Sequence, residues 1–294
     1  MTALREGVVR VSVVVPTFRR PDAIRRCVAA LQRQDAPLLE IVVVDDGSPE
    51  PVDGLPDGPH PVHVVRQANA GPAAARNRGV AAARGELVCL TDDDCRPEPG
   101  WARAFEAAAG AGGRGLMAGR TVNAVRDNVF SEASQDMASY CARVGPGADF
   151  APSNNLAIRR EDYLRAGGFR TDFLRAAGED RAFAHACTRL WPGIREVPDA
   201  VVLHDHALDL PGFWRQHRNY GHGAHTWHGI ARGEGRPGFS GPGFYLGLLL
   251  APMRGGVTPG RVARAALIAL AQVATLQGYV QAARSGRRTG ESLR

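Results

Sequence analysis

The sequence has few of the residues that would staple a fold together. Its five cysteines, Cys27, Cys89, Cys95, Cys141 and Cys187, are odd in number and contain no CxxC pair. That argues against a disulfide framework or a zinc knuckle. Cys27, Cys89 and Cys187 sit among apolar neighbours, as small core side chains do. The stretch from Met1 to Arg10 lacks the apolar core of a signal peptide, so a reducing, cytosolic compartment is the expectation. No basic platform interleaved with aromatics is present, and nucleic acid is therefore not an expected partner. There is no internal repeat, no long low-complexity linker, and no GxGxxG after the first strand of the kind a nicotinamide dehydrogenase would carry.

What remains is an ordinary soluble composition: 294 residues, 44% apolar and 22% charged, enough for one large domain or two. A formal net charge of +6 suits an anionic partner such as a nucleotide or a phospholipid. The first half alternates short β-branched runs with helical segments. Val11 to Val15 reads as a buried strand stopped by Pro16, with a helix from Pro21 to Gln34 after it. Ile41 to Val44 is a second strand running into Asp45-Asp46-Gly47-Ser48, and Val62 to Arg66 is a third. Gly71 opens an alanine-rich helix closed by Gly85, and Glu86 to Leu90 is a fourth strand. Leu116 to Val122, a short strand at Asn154 to Ile158, and helices at Arg160–Ala166 and Glu179–Leu190 continue the series less regularly. This pattern predicts an α/β fold with a mostly parallel central sheet and helices on both faces. Ligands bind such sheets beyond the carboxyl ends of the strands, where Pro16-Thr17, Asp45-Asp46 and Asp92 to Asp94 all fall.

The run Thr91-Asp92-Asp93-Asp94-Cys95 carries the most chemistry. Three carboxylates closing a buried strand are costly unless a positive group neutralises them. A divalent cation bridging to a phosphate does so, since Mg²⁺ and Mn²⁺ favour hard carboxylate oxygens; a solvated acidic turn is the alternative. Asp92 and Asp94 would project to one side of an extended segment and so approach a single cation.

Four motifs in order resemble the family 2 glycosyltransferases of the GT-A fold. They are Val13-Val14-Val15-Pro16-Thr17-Phe18-Arg19, Val43-Val44-Asp45-Asp46-Gly47-Ser48, the Asn69/Gly71/Arg76-Asn77/Gly79 helix opening with its triple aspartate, and Gly178-Glu179-Asp180. The resemblance covers residues 9 to 222. It implies that Pro16, Thr17, Arg19, Asp45, Arg76, Asp92 and Asp93 bind a nucleotide-sugar donor, Asp45 through the base or ribose. It further implies that Asp92 and Asp94 are the metal-binding DxD pair, completed by His204 unless that histidine is structural. Cys95 stands where the family often has another acid. Asp180 would be the general base, with Asn154, Asn155 and Glu179 on the acceptor side, although Glu179 and Asp180 also suit a helix N-terminus as caps. Asn77 could equally be a structural amide. Gln216, Arg218 and Tyr220 are only loosely similar to the QxxRW motif of processive relatives, so a polymerising synthase is not expected. The remaining histidines, including His206, His217, His222, His225 and His228, lack zinc-finger or zincin spacing.

The implied activity is an inverting transfer of a hexose or deoxyhexose, with Mn or Mg as cofactor, from a nucleotide-diphosphate sugar to an acceptor hydroxyl. Cell-envelope glycan, glycolipid or secondary glycoside synthesis would be the setting. A nucleotidyltransferase or a catalytically silent scaffold of the same fold are the alternatives, and the former would want a Gly-rich phosphate loop that Pro16-Thr17-Phe18 does not supply. The expected catalytic domain is 1–236, with a donor half over about 9–120 and an acceptor half over about 121–236. An apolar, basic helical tail, 237–294, would follow. In it, Ala265 to Ala283 carries no charge but is interrupted by Gln272, Gln277 and Gln281, and arginines at 254, 261, 264, 284, 287 and 288 bracket the apolar pieces. The tail thus reads as a helix on an anionic membrane surface near a lipid-linked acceptor, a packing or homodimer contact, or a span.

Overall fold

The computed structural model describes residues 9–144, 150–173, 177–235 and 240–291. Three expectations lie outside these residues: the N-terminal stretch up to residue 8, the domain boundary at 236 and 237, and the side chains of Arg287 and Arg288. The strands are β1 (Val11–Thr17), β2 (Glu40–Asp45), β3 (Val62–Arg66), β4 (Leu87–Thr91), β5 (Cys95–Pro97), β6 (Met117–Asn123), β7 (Asn155–Arg159) and β8 (Arg195–His204). The helices are α1 (Pro21–Leu31), α2 (Pro72–Ala82), α3 (Trp101–Gly110), α4 (Val129–Val144), α5 (Arg160–Arg165), α6 (Glu179–Leu190), α7 (Leu210–Gly233), α8 (Pro242–Leu250) and α9 (Pro259–Glu291). They divide between two compact units, one of residues 1–124, 151–171 and 183–205, the other of 125–150, 172–182 and 206–294.

The first unit holds one eight-stranded sheet in the order β3-β2-β1-β4-β7-β6-β8-β5. β3, β2, β1 and β4 are mutually parallel, the half that the strand–helix alternation foretells. β7 enters antiparallel between β4 and β6, β8 runs parallel to β6, and β5 pairs antiparallel with β8, so the whole sheet is mixed. Alternate residues of β1 explain why both faces are covered. Val11, Val13 and Val15 pack with Ile24, Val28 and Leu31 of α1 and with Trp101 and Phe105 of α3. Val14 points the other way, toward Ala75 and Val80 of α2, Tyr163 of α5 and Phe183 of α6.

Pro16 does not stop β1, which continues through Thr17. The carbonyls of Val11 and Thr17 bond toward β2, so the even-numbered residues between them face β4, whose pairing ends at Val14. Pro16 therefore sits on the one side where no ladder partner is lost.

The second unit is helical, and what reads as a tail belongs to its core. Ile268 and Ala271 of α9 and Leu248 of α8 pack with Ala133 and Tyr140 of α4 and Phe213 of α7. α7 and α9 meet at two glycines without Cβ atoms: a Cβ on Gly278 would drive into the carbonyl oxygen of Arg218, and one on Gly221 into that of Thr275. The backbones approach so closely that only glycine fits.

Candidate active site

The carboxyl edge of β1, β2 and β4 gathers the predicted donor residues of the first unit. Asp45 ends β2 fully buried, and its Oδ1 accepts a 2.9 Å hydrogen bond from the Ser48 amide, closing the Asp-Gly-Ser turn. Gly47 has φ +81° and would place a Cβ 2.7 Å from the Asn69 amide, so this turn requires glycine. The other oxygen of Asp45, Oδ2, is buried without a hydrogen bond, 3.6 Å from Arg66 Nε. Its neighbour Asp46 is spent on structure, accepting from Gln67 Nε2, Asn69 Nδ2 and the amides of Ala70 and Gly71. These bonds hold the loop that enters α2.

α2 begins at Pro72 after Gly71, and brings Arg76 against the acidic run. Arg76 is buried, its Nη2 lies 2.6 Å from Asp92 Oδ1, and its guanidinium sits over the Phe169 ring, 5.4 Å from the centroid. Asn77 is a structural amide: it donates to Phe169 O at 2.8 Å and accepts from the Phe169 amide and the Tyr163 hydroxyl.

The acidic run is not an extended segment. Residues 93 and 94 form a turn, closed by the Cys95 amide on Asp92 O at 3.1 Å. This turn replaces the extended alternation expected of Asp92 and Asp94, and each carboxylate takes its own contacts, with Arg20 shared by Asp93 and Asp94. Asp92 pairs with Arg76. Asp93, expected among the donor contacts, turns inward and accepts from Thr17 Oγ1 at 2.8 Å and Arg20 Nη1 at 3.0 Å. Burial pushes the Asp93 carboxyl up to about 6, opposed by Arg20 and helped by Asp94. Asp94 accepts from Arg20 Nη1 at 2.9 Å and lies 3.4 Å from His204 Nε2.

Strand register sets that last pair. Cys95 of β5 is opposite His204 of β8, and the Asp205 amide donates to Asp94 O at 2.8 Å. Arg96 locks the corner with a bidentate pair to Asp205, at 2.6 and 2.8 Å. Burial opposes a charged His204, but the Asp94 hydrogen bond and the charges of Asp94, Asp92 and Asp205 outweigh it and raise its pKa. Among the described residues, the ligand atoms of Asp94, Cys95 and His204 lie within 4.8 Å of one another. Burial, with Asp92 and Asp94 close by, pushes the Cys95 thiol well above its usual range, so it stays protonated and the usable donors are a carboxylate oxygen and an imidazole nitrogen. That set fits a hard or borderline divalent cation. Arg20, which joins Asp93 to Asp94, carries no sequence signal of its own beyond following the first strand; burial opposes its charge but the two aspartates raise its pKa.

Pro16 and Thr17 end β1, and Arg19 follows with φ +57°, its amide donating to Ser48 Oγ at 2.9 Å. Asn154 accepts from Thr121 Oγ1 at 3.1 Å, and its carbonyl takes the Thr91 hydroxyl. Asn155 is not on an acceptor surface: 1% exposed, it accepts from Trp101 Nε1 and donates to Ala200 O, spending both ends of its amide inside the sheet. In the second unit, Glu179 is buried and Asp180 half-buried at the first turn of α6, with Asp180 Oδ1 accepting from the Arg181 amide at 2.8 Å. Gly178 (φ +90°) packs against Gly223 O of α7, fixing the entry to that helix.

With this geometry in place, comparison with known proteins is informative. The glycosyl transferase family 2 profile matches residues 12–171. The pre-mycofactocin glycosyltransferase of Mycobacterium tuberculosis (strain ATCC 25618 / H37Rv) is 30% identical over 222 residues, which cover 72% of this chain and 46% of that protein. The uncharacterized glycosyltransferase YibD of Escherichia coli (strain K12) is 36% identical over 90 residues, 29% of this chain and 26% of that one. The chain thus spans about half the length, or less, of these curated relatives. Among solved structures, a mannosyltransferase from Pyrobaculum calidifontis in complex with GDP-Man and Mn²⁺ has a TM-score of 0.55 at 22% identity, covering 95% of this chain and 80% of that one. GalNAc-T7 with UDP, GalNAc and Mn²⁺ has a TM-score of 0.54 at 15% identity, covering 80% and 53%. These likenesses establish the GT-A fold.

Proposed function

Because the chain belongs to glycosyl transferase family 2, we propose that it transfers a sugar from a nucleotide diphosphate to an acceptor hydroxyl with inversion at the anomeric carbon. The observation that carries this reading is the Asp94–His204 pair, set by the β5–β8 register at the same edge as the unsatisfied Asp45 oxygen. Asp45 Oδ2 offers a buried acceptor to the donor's base or ribose hydroxyl. Asp94 and His204 would hold a divalent cation, with Asp92 beside them, and such an ion stabilises negative charge on a departing diphosphate. Arg76 and Arg20 hold the aspartates in place when no ligand is bound. Asp180 takes the proton of the acceptor hydroxyl. The new oxygen–carbon bond forms on the face opposite the one from which the diphosphate leaves with its bonding pair, hence inversion. The acceptor belongs to a cell-envelope glycan, a glycolipid or a small glycoside.

Two relatives of this fold were solved with GDP-Man and with UDP, each with Mn²⁺, which selects the first ligands to try. Melting of the full chain with GDP-mannose or a UDP-sugar, with and without Mn²⁺, should show a metal-dependent rise in Tm. Asp94→Ala should weaken metal-dependent donor binding at least about tenfold, about 1.4 kcal/mol. An unchanged metal-dependent shift in that variant would remove Asp94 from the site.

A further inference from the structure

α9 departs from the rule for a surface helix, which buries one apolar stripe and turns polar residues outward. Its inner face packs Ile268, Ala271, Ala274 and Gly278. Its outer face is exposed and apolar as well: Val262, Ala266, Ala269, Val273 and Leu276 recur every three to four residues. α8 adds exposed Tyr245, Leu246 and Leu250. Together with Val257, residues 245–276 supply half of the large exposed apolar side chains among the described residues, a concentration that marks an interaction surface. Among the described residues α9 is also the one helix that is long and apolar enough to cross a membrane, its most apolar 18 residues having a mean hydropathy of 1.2.

Charge chooses the occupant. Between Glu234 and Glu291 the sequence holds seven arginines and no aspartate or glutamate. Arg254 and Arg284 are exposed toward either end of the apolar stretch, and Arg264 pairs with acids, Glu132 and Asp136 of α4. A second copy docked on this face about a two-fold axis would set arginine against arginine with no acid to relieve them. An anionic lipid surface matches both properties: headgroups for the arginines, the acyl boundary for Val273 and Leu276, and the headgroup level for Tyr245. We propose that the exposed face of α9, with α8, docks the protein on an anionic phospholipid bilayer, the helix lying in the interface while its other face stays on α7 and α4.

The test uses the full chain and sonicated vesicles of phosphatidylcholine alone or with about one-third phosphatidylglycerol. Co-sedimentation should be at least about fivefold greater with the anionic vesicles, and should fall sharply between about 0.1 M and about 0.5 M NaCl. The double variant Val273→Glu/Leu276→Glu should lose most binding while keeping the wild-type melting temperature, since both side chains are exposed. Arg254→Gln/Arg284→Gln should lose the preference for anionic over neutral vesicles. Equal sedimentation with both vesicle types would overturn the proposal, as would full binding by both variants. A dimer that the Val273→Glu/Leu276→Glu variant converts to monomer would give the face to a second copy instead. Protein that resists high salt and alkaline extraction would be spanning rather than interfacial.

Discussion

At the residue scale the site is defined by which carboxylates are already committed. Asp46 has four donors, Asp93 has Thr17 and Arg20, and Asp94 has Arg20 and His204, whereas Asp45 Oδ2 is buried without a hydrogen bond, 3.6 Å from Arg66 Nε. Asp180 can be separated from these by its chemistry. Asp180→Asn preserves shape and the hydrogen bond from the Arg181 amide but cannot take a proton. Transfer should fall by about 10² to 10⁴ with donor affinity unchanged, read as kcat against KM and donor-induced Tm. Turnover within about threefold of wild type would reduce Asp180 to a helix cap. The types and order of these residues were legible in the sequence, because strand-ending acids and an Asp-Gly-Ser turn have local signatures. Their partners were not. Arg20 meets Asp94 across a separation of 74 residues, and Asn155 looks like an exposed polar residue until Trp101 and Ala200 are seen to enclose it.

At the scale of elements, β1 to β4 were readable because each is a short, largely apolar run separated from the next by polar or helical segments. β5 has only three residues, too few for any periodicity, yet its register places His204. α7 was hidden by its composition, rich in glycine, histidine and aromatics: of Gly212, Gly221, Gly223, Gly229 and Gly233, Gly221 and Gly223 are where other backbones press closest. This distinction is measurable. A Cβ at Gly229 would meet nothing within 4 Å, so Gly229→Ala should stabilise the protein by about 0.5–1 kcal/mol through helix propensity. Gly278→Ala on α9 meets the Arg218 carbonyl and should destabilise by about 2–3 kcal/mol despite the same propensity gain. Urea denaturation of both variants gives the signs, and two stabilising results would show that α7 and α9 are not in close contact.

At the scale of the molecule, one buried histidine should make the fold sensitive to mild acid. His217 of α7 is 1% exposed, packed edge-on against Phe213 at 4.3 Å and near Tyr220, with neither ring nitrogen hydrogen-bonded. Burial, with His206 adding, drops its pKa to about 4. The unfolded chain takes the proton near pH 6.5 and the folded chain does not. The stability is therefore complete above that pH and is lost as pH falls toward 4. Between pH 6.5 and 5 the loss should be about 2 kcal/mol in denaturant titrations. His217→Phe should reduce the slope in that window by this amount, and an equal slope in wild type and variant would place the pH dependence elsewhere.

The interleaving of the two units also has a consequence for synthesis. Every strand of the sheet has been made by residue 204, whereas α4 and α7 wait for α9 to cover Tyr140 and Phe213. From the completion of the sheet until α9 emerges, the helical core therefore lacks its cover. Chaperone engagement should peak over that interval, with α4 and α7 as its targets, and end when the two glycines on α7 and α9 close against their carbonyls.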